Sequence, residues 1–174
     1  MSRNRLFGVA AMQQQTAPAA APVQASRQAP VAAEMMKDEK YGSAAQIMAL
    51  PAAKLGALLQ DPGASVYARA KACQRLAVVG DKSAVPALAA LLGEPQLSLY
   101  ARTALETMPD RSVDDALRAA LGKVQGKLLA GVINSIGKRR DASAIGALEK
   151  LRYNADAEVA GSANAALARI RPPL

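Results

Sequence analysis

Catalysis needs a nucleophile, a base or a set of ligands, and this sequence offers little of any. Its 174 residues include no histidine and one cysteine. The usual general base near neutral pH and the commonest metal ligand are therefore missing. Cys73 lies in AKACQRLAVV, with no imidazole to take its proton. A single cysteine cannot form an intramolecular disulfide or a cysteine zinc site. Its apolar neighbours predict a buried structural thiol. Asp114 and Asp115 form an acidic pair. Adjacent residues on a helix point apart, however, and a place near a helix N-terminus accounts for both charges. These residues predict a non-enzymatic protein with no catalytic residues, no cofactor and no metal.

Recognition is better supplied. Basic residues recur at Lys82, Arg111 and the run Lys138, Arg139, Arg140. They read either as a solvated edge beside helix C-termini or as an anion-facing stripe, strongest at the run. Asp81, Asp110 and Asp141 stand in the same loops and weaken that field. Tyr67 and Tyr100 are two of five aromatic residues, and Asn134 is the amide of an otherwise apolar stretch, LLAGVINSIG. The candidate partner-binding residues are thus Tyr67, Tyr100, Asn134, Lys138, Arg139 and Arg140. The formal charge of +8 admits an acidic partner or nucleic acid, but solubility alone explains it equally well.

The elements that must position these residues are helices. The chain is 51% hydrophobic but only 3% aromatic, so its core is aliphatic and alanine-rich, a composition that favours helix over strand. No apolar run approaches the length needed to span a bilayer as a helix. Internal repetition organises the pattern. At an offset of 33, Leu55, Leu58, Leu59, Pro62, Tyr67, Ala68 and Arg69 match Leu88, Leu91, Leu92, Pro95, Tyr100, Ala101 and Arg102. DKSAVPAL at 81, DRSVDDAL at 110 and DASAIGAL at 141 share Asp-x-Ser-x-x-x-Ala-Leu, spaced by 29 and 31 residues. Such an Asp or Ser suits a helix N-cap, and Ser112 with Asp115 approximates a capping box. Each unit then predicts a Leu-rich first helix, a short turn and a small-residue second helix. The second helices are VYARAKACQRLAVV, LYARTALETM, LLAGVINSIG and VAGSANAALARI, the last stopped by RPPL. One such unit cannot bury its apolar face alone, but stacked units can.

These features resemble HEAT repeats, and the resemblance covers roughly residues 43 to 171. The carriers are the Asp-led helix start, the Leu-x-x-Leu-Leu first helix and the Val/Leu-x-Ala-Arg opening of the second. It implies an all-α fold, an α-α superhelix of the HEAT/armadillo kind with about four two-helix repeats. It also implies structural ion pairs Asp61–Arg69 and Glu94–Arg102, weak if exposed. Gly131 and Ser162 stand where the third and fourth units lack that arginine. Tyr67 and Tyr100 then either pack between successive second helices or face a concave partner surface. Asn134 either satisfies a buried backbone group or points into that groove. The function implied is protein–protein binding or scaffolding. The alternatives are nucleic-acid binding through the basic edge and, remotely, a HEAT-like lyase.

The N-terminal stretch bears on location. MSRNR is a positive segment, LFGVAAM a short apolar one, and Val23-Gln24-Ala25 offers small residues for cleavage. Residues 1–25 therefore read as a signal peptide, or else as a disordered leader of Ala, Pro and Gln. Residues 26–42 read as a flexible linker and 43–174 as the repeat domain, with a helix at 43–50 capping the first unit. A cleaved leader implies a periplasmic or secreted protein, a retained one a cytoplasmic protein.

Overall fold

The computed structural model describes residues 36–171, so the leader and most of the expected linker lie outside the described residues. Among the described residues the fold is all helical and contains no strand. The helices are α1 (Ala44–Met48), α2 (Ala52–Gln60), α3 (Val66–Val79), α4 (Val85–Ala90), α5 (Ser98–Thr107), α6 (Arg111–Ala120), α7 (Gly126–Arg139), α8 (Ile145–Leu151) and α9 (Ala157–Ile170).

Local chemistry sets these boundaries. Ser43 and Gln46 form a reciprocal capping box at the start of α1, the helix expected before the first unit. Ser65 caps α3 through Ala68 N–H. Asp81, Asp110 and Asp141 each accept the N–H of the serine two residues on, at 2.8, 2.8 and 3.0 Å. The repeated Asp is therefore the cap. Ser112 forms no capping box; its hydroxyl is buried without a partner because Asp110 already holds the helix start. Before α4 and α8 these caps open short 3-10 turns, Lys82–Ala84 and Ala142–Ala144. Another, Leu91–Gly93, follows α4.

The helices contact one another in two successions. First helices pack α2 on α4 and α4 on α6, and second helices pack α3 on α5, α5 on α7 and α7 on α9. The core between them is continuous, from Ile47 through Leu58, Leu88 and Leu117 to Leu148 and Leu167. Each fully buried leucine contributes roughly 1.5–3 kcal/mol, and each alanine much less, so the alanine-rich contacts must be close to be useful. The α7–α9 contact is the most extensive. α7 buries Leu129, Ala130, Val132, Ile133 and Ile136, nearly around its circumference, because α5, α6 and α9 all pack on it.

Two expectations are corrected. Residues 38–42, assigned to a flexible linker, form a turn fixed to the first unit. Asp38 and Gly42 exchange backbone hydrogen bonds of 2.9 and 2.8 Å. The buried Asp38 carboxylate accepts from the backbone N–H of Lys40, Tyr41 and Ser65 at 2.7–2.8 Å. Burial alone would raise its pKa, but the hydrogen bonds from Ser65, Tyr41 and Lys40 outweigh that and lower it to about 2. The pairs Asp61–Arg69 and Glu94–Arg102 do not form. Asp61 instead binds Lys40 Nζ and Tyr41 Oη, both at 2.6 Å. Arg69 donates to Ala64 O and reaches Glu94 of the next unit at 3.5 Å. The ion pairing therefore joins units where the resemblance implied pairs within them.

Candidate functional site

Arg102, at half its length along α5, lies across Gly131 of α7. It donates to Gly131 O at 3.0 Å and to Ser135 Oγ at 3.4 Å. A β-carbon at Gly131 would fall 2.8 Å from the Arg102 guanidinium carbon, so the missing side chain makes room for the arginine. Burial lowers the Arg102 pKa, opposed by the nearby Glu106 carboxylate. Ser135 in turn donates to Glu106 Oε1 at 2.7 Å, and Lys138 Nζ reaches Glu106 Oε2 at 2.7 Å. Asn134 Nδ2 bridges to Ser162 Oγ of α9 at 3.4 Å. A polar chain thus joins α5 to α7, and a separate contact joins α7 to α9.

This chain borders an open depression of about 670 Å³, lined by Glu106, Asn134, Gly137, Lys138, Arg140 and Arg169. Three of the six sequence-predicted residues meet here. Lys138 is 68% exposed but is tied to Glu106. Arg140 is exposed, and it is the sole described non-glycine residue with positive φ, at 55°. Its N–H bonds Gly137 O at 3.1 Å and the Asp141 N–H bonds Ile136 O at 3.3 Å. That is a Schellman motif, whose left-handed position usually holds glycine. Arg140 also borders a neighbouring groove that includes Arg111, Asp115 and Asp141. It therefore stands on the ridge between the two hollows.

The other three lie elsewhere. Arg139 is turned into the fold, with its side chain only 10% exposed. It donates to Asp114 Oδ1 at 2.5 Å, Met108 O at 2.6 Å, Asp110 O at 3.2 Å and Leu105 O at 3.3 Å. It closes the carbonyl end of α5 and joins it to α6, so the expected basic run is interrupted at its middle residue. Tyr67 and Tyr100 are half-buried and packed against the core, with Lys71 Nζ 5.8 Å from the Tyr67 ring centre. Each has an exposed apolar neighbour, Val66 and Leu99, 41% and 59% exposed.

Glu106, Arg102, Ser135 and Arg169 are not marked by the sequence reading as residues of this site, although a signal exists. Glu106 precedes Lys138 by 32 residues, and Arg140 precedes Arg169 by 29. Residues about one repeat apart fall side by side on neighbouring units. The edge is less cationic than its composition suggests, because Arg118 binds both Asp115 and Asp141.

The lining of the depression is net cationic, with two more cations than anions among its side chains. Cys73 is fully buried, and burial pushes its thiol up to about 12. Among the described residues no cluster of Asp, Glu, Cys or His is placed to hold a metal. No described helix is long and apolar enough to cross a membrane. No family model matches the chain, and neither a curated protein nor a solved structure matches it.

Proposed function

We propose that this chain is an α-solenoid of about four HEAT-like units that serves as a non-enzymatic protein-binding or scaffolding module. The observation that carries this reading is the succession of second helices α3, α5, α7 and α9, each packed on the next. This layer bears Val66, Tyr67, Leu99 and Tyr100, together with the depression at Asn134, Lys138 and Arg140. Mixed apolar, aromatic and arginine surface is the composition of protein interfaces. Against catalysis stand the absence of histidine, the sealed Cys73 thiol and the commitment of Glu106 to Lys138 and Ser135.

The nucleic-acid reading has less support. A phosphate backbone needs a run of free cations, and along this edge Arg118 and Arg139 are neutralised by acids. Export remains part of the proposal, through residues 1–25. The intact mass of the protein from its own cells tests it, and an unprocessed N-terminus would refute it.

The binding reading is tested with a photo-crosslinking residue at Tyr100 on α5, compared with one at the exposed Ala90 on α4. A discrete partner captured at Tyr100 and not at Ala90 is expected. Equal capture at both positions, or capture at neither, would overturn the proposal.

A further inference from the structure

We propose that the depression at the C-terminal ends of α5, α7 and α9 binds carboxylate side chains of an acidic segment on a protein partner. Arg140 and Arg169 are the recognising groups, with the Asn134 amide as a neutral donor beside them. This inference rests on the protein-binding reading above and names the chemistry of its partner.

Three observations converge on it. The first is pairing. Lys138 is taken by Glu106, Arg139 by Asp114, Arg118 by Asp115 and Asp141, and Arg171 by Glu149. Among the described residues Arg140 and Arg169 pair with no carboxylate. Both guanidinium groups thus retain the forked donors that match a carboxylate.

The second is backbone. Arg140 occupies the left-handed position of a Schellman motif where glycine would be favoured. A side chain kept in an unfavoured conformation beside a hollow points to use of that side chain.

The third is what flanks the hollow. The Glu106 carboxylate forms part of its wall, and Asp115 and Asp141 lie beyond Arg140. A nucleic-acid backbone continuing past the pocket would meet these acids. One or two carboxylates on a peptide would meet Arg140 and Arg169 beside a Glu106 already paired with Lys138, and would stop short of Asp115 and Asp141.

The test uses the full chain and fluorescein-labelled hexaglutamate, followed by anisotropy at low salt. Unlabelled hexaglutamate, inorganic phosphate and a single-stranded hexanucleotide are the competitors. Saturable binding is expected, with hexaglutamate the strongest competitor. Loss of one charge-assisted contact should weaken it about tenfold or more in Arg140→Gly and in Arg169→Ala. Lys123→Ala, an exposed cation outside the depression, should change nothing. Arg140→Gly is chosen because glycine suits the backbone there, so the fold is retained.

Absence of saturable binding, or unchanged binding in both arginine variants, would overturn the proposal. Stronger competition by the oligonucleotide or by phosphate would overturn it too, by assigning the hollow to phosphate groups. The crosslinking experiment separates the two readings. If Tyr100 captures the same partner in the Arg140→Gly/Arg169→Ala double variant, the binding module stands and the carboxylate pocket falls. If Tyr100 captures nothing specific even in the unmodified protein, the module reading itself falls.

Discussion

Gly137 and Ala166 touch across the α7–α9 contact so closely that a β-carbon at Gly137 would stand 2.7 Å from the Ala166 Cα. The obstacle is backbone, which cannot swing aside. Gly137→Ala should therefore destabilise the fold by up to about 2 kcal/mol net, since overpacking costs about 1–3 and helix propensity returns about 1. Gly131→Ala, on the same helix, meets the Arg102 guanidinium first. That side chain can move at the expense of its hydrogen bonds, so the loss should stay below about 1 kcal/mol after the same propensity gain. Chemical denaturation of the two variants compares them. Equal losses would show that the α7–α9 approach is not limited by backbone contact.

The turn at Asp38 makes the N-terminal unit acid-sensitive. The folded pKa of Asp38 is about 2 against an ordinary value of 3.8. A carboxyl whose pKa falls on folding binds fewer protons in the folded state, so its contribution is complete above about pH 4 and is lost as pH falls towards 2. Asp61, held down by Lys40 and Tyr41, shifts in the same direction. Asp38→Asn should lower stability at pH 7 by about 2 kcal/mol, and the difference from the unmodified protein should shrink as pH falls from 4 to 2. Denaturation curves measured across that range check this; a constant difference would remove the carboxylate from the explanation.

Much of the helical order was legible because its signals are local. VYARAKACQRLAVV is α3 from first residue to last, and each repeated Asp caps the turn or helix it introduces. What escaped depends on contacts between units. Lys40 and Tyr41 shape a local turn at Asp38, but the partner that ties it to the helices is Ser65, 27 residues away, which the neighbouring sequence does not announce. Arg139 reads as one of three equal cations in KRR. Only the position of the α5 carbonyl end turns it inward while Lys138 and Arg140 stay outside. The resemblance to HEAT repeats implies a pair between Arg69 and Asp61, yet each finds its partner beyond the unit's own turn.

Arg139 should accordingly behave as a structural residue. Arg139→Ala removes donors from four carbonyls and the partner of Asp114. A loss of about 2–4 kcal/mol is expected. Arg139→Lys should recover little of it, because an ammonium cannot span the same fork. Lys138→Ala, at an exposed ion pair, should cost under about 1 kcal/mol. Urea unfolding of the three variants separates these cases. An Arg139→Ala loss as small as that of Lys138→Ala would deny Arg139 its role as the clamp between α5 and α6.

Arg140 presents the reverse case, a residue whose removal should help the fold. A left-handed conformation costs an L-residue about 1–2 kcal/mol, and glycine escapes it while losing about 0.5–1 in chain entropy. Arg140→Gly should therefore gain about 0.5–1 kcal/mol, raising the melting temperature. Arg140→Ala should gain nothing, because the β-carbon that makes φ of 55° unfavourable is still present. If the Gly and Ala variants melt together, the left-handed backbone is not the source of the cost. If the Gly variant alone is stabilised, the arginine holds a position that folding by itself would assign to glycine, which is the condition expected of a side chain kept for binding.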